Sequence, residues 1–274
     1  MRDTDLRTYP VKSLAGQSVE TAVVHRWGLA GDRRWGLVDE AGEKLNGIRH
    51  PALLGLGAQS HDDGSVTIRA GSQTRTVSPP AEGALAPVVG SPGAQVRHLA
   101  PSESHADAWL SERAGRPVRL VWQPDPTSRP IPSEHGGQVG DALNLSWSGP
   151  LLMCSRASLD QLQTWADAEA AERGEARTGL SMWRFRPNVV VDGGTPFAEE
   201  TWQEVRIGGQ AYRVTERCDR CVVTTIDPTS LAKGVEPVRS LARHRRREGK
   251  VWFGVRLAPT GEGRISVGDE VVAS

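Results

Sequence analysis

The sequence predicts a mainly β protein with a few helices, built as two linked β-barrel-like modules. Three observations lead there: 30 glycines and 18 prolines punctuate the 274 residues, the apolar runs between them are short, and tight-turn pairs separate β-branched stretches. Val66-Thr67-Ile68-Arg69, the turn Gly71-Ser72 and Thr74-Arg75-Thr76-Val77 read as a hairpin. Val205 and Ile207, the turn Gly208-Gly209, then Tyr212 and Val214 read as a second. Val19 to His25, Trp35 to Asp39, Val118 to Trp122, Asn188 to Asp192 and Ile265 to Val272 supply further strands. Their edges need closure or folding over for protection.

Two segments change to helical spacing. Ser104 to Arg113 puts Ala106, Trp109 and Leu110 on one face, and Gly115 followed by Pro117 stops it. Ser158 to Arg173 spaces Leu159, Leu162 and Trp165 by three residues. Ser158-x-x-Gln161 fits a capping box at its start, and Gly174 stands where a C-terminal glycine belongs. The Pro- and Gly-rich stretch Gln123 to Gly140 is incompatible with regular structure and reads as a linker. The expected modules are therefore 1–122 and 123–274. Arg243-His244-Arg245-Arg246-Arg247, the one dense charge run, reads as a solvated helix end or loop.

Composition narrows the function classes. Apolar residues at 38% and charged residues at 24% suit a folded core rather than disorder. Lys+Arg and Asp+Glu are both 33, so no global field draws nucleic acid or anionic membrane. A local basic pocket is still compatible with a neutral total. No apolar run approaches the roughly 20 residues that span a bilayer. The start, Met1-Arg2-Asp3-Thr4-Asp5-Leu6, lacks a signal peptide's apolar stretch, so a cytoplasmic protein is expected.

The three cysteines are Cys154, Cys218 and Cys221, too few and too clustered for a disulfide framework. Two fall in Glu216-Arg217-Cys218-Asp219-Arg220-Cys221-Val222-Val223-Thr224-Thr225-Ile226-Asp227. Cys221 should lie on a loop leading into a strand Val222 to Ile226. Arg217 and Arg220 beside it would favour the thiolate, the form that binds soft metals. Structural zinc would require four ligands, and no second pair is present. A thioredoxin-like dithiol would begin a helix, which the β-branched run opposes. Spacing alone leaves open an ordinary buried pair, since free cysteine packs as a small hydrophobe.

Several blocks together resemble the MOSC family, and its amidoxime-reducing members in particular. They are Tyr9-Pro10-Val11-Lys12-Ser13, Gly31-Asp32-Arg33-Arg34-Trp35, Arg184-Phe185-Arg186-Pro187-Asn188-Val189-Val190-Val191, Cys218 to Pro228, Glu236-Pro237-Val238-Arg239-Ser240-Leu241 and Val267-Gly268-Asp269. They occur in the family's order and cover almost the whole chain. The resemblance implies an N-terminal MOSC β-barrel module and a MOSC core, with Cys221 ligating molybdenum. It implies that Lys12, Ser13, Arg33, Arg186, Asn188, Asp219, Arg220 and Arg256 hold the molybdenum cofactor, in a cleft between the modules. Lysine and arginine suit that task, because a pterin phosphate and polar rings call for point-charge and forked donors. One position departs from the pattern: Trp147 stands where family members often carry an aspartate.

The implied activity is reduction of small N-hydroxylated compounds by a molybdenum-dependent oxidoreductase. Neither a G-x-G-x-x-G loop nor a cluster motif is present, so electrons would come from a separate flavin or iron–sulfur protein. The competing reading is a cofactor or sulfur carrier with a persulfide or thiolate on Cys221, in which Cys218 would resolve the persulfide. A β-rich binding protein without the chemistry is the third.

Overall fold

The computed structural model describes residues 1–274, Pro101 by its backbone alone. The chain is mainly β with three α-helices. It divides into two units, one of Arg7–Ser18 and Val24–Pro150, the other of Met1–Leu6, Val19–Val23 and Leu151–Ser274. No sheet closes into a complete ring of paired strands among the described residues.

In the first unit, Trp35–Val38, Arg119–Trp122, Gln95–His98 and Ala86–Pro87 form an antiparallel sheet in that order. Gly57–Ser60, Val66–Ala70 and Gln73–Val77 form a second, containing the first predicted hairpin. Its alternation is visible in the packing: Val66, Ile68 and Val77 are buried while Thr74 and Arg75 face solvent. Helix α1 (His105–Ala114) buries Ala106, Trp109 and Leu110 and ends at Gly115 in the left-handed conformation, φ 67°. These faces meet in a core that includes Val11, Leu14, Trp35, Leu53, Ile68 and Leu120.

In the second unit the sheet runs Val271–Ala273, Glu204–Ile207, Gln210–Asp219, Lys250–Pro259, Leu151–Ser155, Val189–Asp192 and Arg2–Thr8. All neighbours are antiparallel except Leu151–Ser155 beside Val189–Asp192. That parallel pair needs a crossover, which helix α2 (Arg156–Arg173) supplies. Phe185 and Phe253 stack at 3.9 Å in the core beneath it, each burying side chain worth about 2–3 kcal/mol. Helix α3 (Val238–His244) takes in the first part of the arginine-rich run.

Three local expectations change. Helix α2 starts two residues before Ser158, capped by Ser155, whose hydroxyl accepts the Ser158 N–H. Ser158 is buried instead, donating its hydroxyl to the Glu199 carboxylate at 2.8 Å and accepting the Phe197 N–H. Ile265 to Val272 is two strands, Gly263–Ser266 and Val271–Ala273, because the chain turns at Gly268, φ 93°. Val222 to Ile226 is not a strand. Val222–Thr225 is a 3-10 turn in which Thr224 and Thr225 donate their hydroxyls back to the carbonyls of Cys221 and Val222.

Candidate functional site

The predicted site residues fall into both units, and each set is built by its own backbone devices. The strand Gln210–Asp219 carries register shifts between Val214 and Glu216 and between Arg217 and Asp219. Such bulges re-aim side chains. Cys218 is buried, Asp219 is exposed, and the strand ends so that Cys221 stands in solvent at the head of the 3-10 turn. Arg184, quoted only as the edge of a sequence block, fixes that turn from behind. It is buried and donates Nη1 to the Thr225 carbonyl at 3.2 Å and Nη2 to Asp227 at 2.8 Å. Its Nε, also buried, has no hydrogen-bond partner.

The two arginines expected beside Cys221 have other partners. Arg217 lies over the Trp252 ring at 6.0 Å. Arg220 turns inward, donating Nη1 to the Cys218 sulfur at 2.9 Å and Nη2 to the Phe185 carbonyl at 2.5 Å. Burial pulls the Arg220 pKa down, but the surrounding sulfurs of Cys218, Cys154 and Cys221 outweigh it and the net shift is upward. Its Nε is buried without a partner. Cys154 differs from Cys221 in kind: burial raises its pKa well above the usual thiol range, so it stays a packed thiol.

Because Arg220 bonds the Phe185 carbonyl, it is tied to the loop that carries Arg186. Arg186 has φ 60°, a left-handed conformation that side chains rarely adopt. Asn188 is buried and bridges to the next strand: its Oδ1 accepts the Leu152 N–H at 3.2 Å and its own N–H reaches the Leu152 carbonyl at 2.8 Å. Arg256 is paired in register with Leu152 and with Glu216, and its Nε lies 3.1 Å from the Glu216 carboxylate. The exposed Asp219 lies 3.9 Å from the Lys250 ammonium.

In the other unit Lys12 reaches the loop Gly90-Ser91-Pro92, while Ser13 donates its hydroxyl to the Leu45 carbonyl at 3.2 Å and Arg33 pairs with Asp32. Lys12 donates to the Ser91 hydroxyl at 3.4 Å, Lys44 to the Gly90 carbonyl, and Arg129 Nε to the Pro92 carbonyl at 3.1 Å. Burial pushes the Lys12 ammonium well below the usual lysine range, and the charges of Lys44, Arg129 and Arg33 push it further. Burial likewise lowers Lys44 and brings Arg129 to about 10. The carboxylate inside this network is Asp32, fully buried. It accepts the Tyr9 N–H at 2.7 Å, Arg33 Nη1 at 2.6 Å and the Asn144 amide at 3.2 Å. Ser13 (φ 75°) and Arg33 (φ 48°) share the left-handed backbone of Arg186. Strain of this kind clusters at functional sites because the surrounding fold has to impose it.

Sequence reasoning missed Lys44, Arg129 and Arg184, and took Asp32 only as part of a motif. Arg184 and Asp32 were within quoted blocks. Lys44 and Arg129 had no local signal, since only the fold brings them to loop 90–92.

The chemistry these residues offer is specific. Cations crowd together at the cost of their own charging, an arrangement that an anion relieves. No group of three or more His, Cys, Asp and Glu side chains is placed to hold a metal among the described residues. Cys221 therefore offers one sulfur, which suits a metal arriving with ligands of its own, and the orphaned Arg220 Nε offers a buried donor. A pterin-bound metal fits the donors of the unit that holds Cys221, and a phosphate group fits the cations of the unit that holds Lys12.

Comparison with known proteins agrees on the class. The MOSC domain model matches residues 135–272, and the MOSC N-terminal beta barrel domain model matches residues 3–117. The chain is 27% identical to a molybdenum cofactor sulfurase of Solanum lycopersicum over 98% of its own length and 35% of that protein. It is 30% identical to mitochondrial amidoxime-reducing component 1 of Mus musculus, covering 96% of this chain and 79% of the relative. The Homo sapiens counterpart is 28% identical, with 96% and 80% covered. The chain thus spans about a third of the sulfurases it matches and about four fifths of the amidoxime-reducing components. No helix is long and apolar enough to cross a membrane among the described residues.

Proposed function

We propose, from the premise that the chain belongs to the MOSC family, that it is a molybdenum-cofactor oxidoreductase reducing small N-hydroxylated compounds. The observation that carries this reading is the exposed Cys221 on a turn clamped by Arg184, with an orphaned guanidinium nitrogen on the adjacent Arg220. When bound, the cofactor supplies two-electron oxygen-atom chemistry that side chains lack. Cys221 holds the metal as thiolate. Arg220 and Arg186 donate to polar atoms of the pterin, with Asn188 locking the strand start beneath them. Arg256 and Asp219 complete the wall of donors and acceptors in that unit. In the other unit, considered by itself, Lys12, Lys44 and Arg129, with Arg33 fixed by Asp32 as a forked donor, form a cation cluster that suits a phosphate group. Electrons come from a separate iron–sulfur or flavin protein.

The test is turnover of metal-replete protein on a panel of amidoximes and N-hydroxylated bases with chemical reductant. The reading predicts reduction by wild type and none by Cys221→Ala. Inactivity of the loaded wild type across the panel contradicts it.

The sulfurase relatives favour a second reading, a sulfur carrier that uses Cys221 as a persulfide. Cys218 is buried and bonded to Arg220, so it would have to leave the core to resolve that persulfide. Metal-free protein carrying a sulfane adduct on Cys221 would support the carrier.

A further inference from the structure

The arginine-rich run at 243–247 divides into two parts that behave differently. Arg243 donates to Glu172 at 3.0 Å, His244 meets Glu169 at 2.9 Å, and Arg245 pairs with Glu200. Those three residues fasten helix α3 to its neighbours. Arg246 and Arg247 are exposed, and neither makes an ion pair among the described residues. They form a short strand that pairs with Lys250 and Val251 across the turn Glu248-Gly249. Both turn residues have positive φ, 53° and 75°, the backbone that suits the twist of a two-residue hairpin.

This hairpin hangs from the strand that leads to Cys221. The Arg220 N–H donates to the Val251 carbonyl at 2.8 Å, and Asp219 is paired in register with Trp252. The Trp252 indole N–H donates to the Arg247 carbonyl at 3.2 Å, and its ring has Lys250 at 5.6 Å and Arg217 at 6.0 Å. Arg217, Arg246, Arg247 and Lys250 thus gather against two carboxylates, Asp219 and Glu248, in a chain whose total charge is zero. Val222, the neighbour of Cys221, is 47% exposed. Tryptophan and arginine are the usual anchors of protein interfaces, and charges around them steer a partner's approach.

The reaction sets which partner fits. Reducing one N–OH group takes up two electrons and two protons, breaks the N–O bond, forms one N–H and one O–H bond, and releases water. A one-electron carrier therefore docks and leaves twice in each turnover. Brief encounters of this kind use small interfaces and take their speed from complementary charge. Four cations interrupted by two carboxylates make a poor track for a polyanion.

We propose that Arg217, Arg246, Arg247 and Lys250, set around Trp252, form the docking surface for an acidic one-electron carrier protein. This rests on the reading that electrons come from a separate protein, and adds the face that receives it and the charge it carries.

The test titrates the full chain with a plant-type [2Fe–2S] ferredoxin, an acidic carrier, and with cytochrome c as a basic control. Calorimetry is run at low salt and at physiological salt, where the screening length is about 8 Å. Wild type should bind ferredoxin, less tightly as salt rises, and should not bind cytochrome c. The double variant Arg246→Glu, Arg247→Glu should bind ferredoxin about tenfold or more weakly and lose most of the salt dependence. Arg75→Glu, a charge reversal on the hairpin Val66–Val77, should bind as wild type does. No binding by wild type, undiminished binding by the double variant, or an equal loss in Arg75→Glu overturns the surface. So does binding of duplex DNA or phosphatidylserine vesicles through these arginines without binding of ferredoxin. Turnover separates this surface from the reading beneath it. Cofactor-loaded double variant should reduce benzamidoxime at the wild-type rate with viologen radical, and about tenfold or more slowly with limiting reduced ferredoxin. Equal loss with both donors overturns the surface. A loaded wild type that is inactive with viologen counts instead against the oxidoreductase reading, and the titrations still decide the surface.

Discussion

Replacing Arg129 by methionine is expected to cost the protein stability and anion affinity together, and the size follows from its surroundings. Arg129 is 3% exposed and has no carboxylate partner among its bonds. It donates to three carbonyls, those of Pro92, Asn144 and Ser146. A hydrogen bond from a charged donor contributes about 1.5–3 kcal/mol, so three amount to roughly 4.5–9 kcal/mol. Against that stands the charge itself. Burial lowers its pKa from 12.5 to about 10, which at 1.36 kcal/mol per tenfold is a cost of about 3 kcal/mol that methionine removes. The difference leaves a net loss of about 1–6 kcal/mol, or roughly 2–24 °C in melting temperature at 2–4 °C per kcal/mol. Arg129→Lys should recover little, because one ammonium does not span three carbonyls as the guanidinium fork does. Thermal unfolding followed by circular dichroism, with phosphate titration of the folded variants, is the assay. A melting temperature within a degree of wild type would refute the account of this loop. So would full rescue by lysine.

Asp3 gives a pH signature. Burial, then the charges of Asp269 and Asp5, raises its pKa from 3.8 to about 8, against the opposing Asp5 N–H; it is 1% exposed. The folded state thus holds the proton more tightly than the unfolded chain. The stability gained is complete below about pH 4 and is lost as pH rises toward 8, by a few kcal/mol. Asp3→Asn should flatten that slope and stabilise the protein at pH 8, as read from urea midpoints at pH 5 and pH 8; an unchanged slope would show that Asp3 ionises freely. Arg184→Met should speed amide exchange at Thr224 and Ile226 and lower metal content, while the distant hairpin Val66–Val77 keeps its protection. Unaltered exchange at the turn would remove Arg184 from the site.

Much of the fold was legible because its signals are local. The hairpin at Gly71 and the helix ends at Gly115 and Gly174 follow from left-handed glycines after periodic segments. Leu151–Ser155 and Lys250–Pro259 were harder to read, since both are buried with little alternation and carry no period-2 pattern. The Val222 turn misled because threonine favours strands by shape yet bonds its own backbone here through hydroxyls. For the site, the strained backbones of Ser13, Arg33 and Arg186 fall at positions named from sequence motifs. Lys44 and Arg129 were silent because they reach Gly90 and Pro92 from 46 and 37 residues away. Trp147 registered as a departure from a pattern, and its exposure beside Lys44 was not readable from spacing.

The most direct test of the account is the sulfur coordination of molybdenum in the protein as isolated from a cofactor-producing host, compared with Cys221→Ser. The account predicts molybdenum and pterin in near-equal amounts, with X-ray absorption losing the thiolate scatterer in the variant while the pterin sulfurs persist. Metal-free wild type from such a host, or a sulfur shell identical in the two proteins, would contradict it.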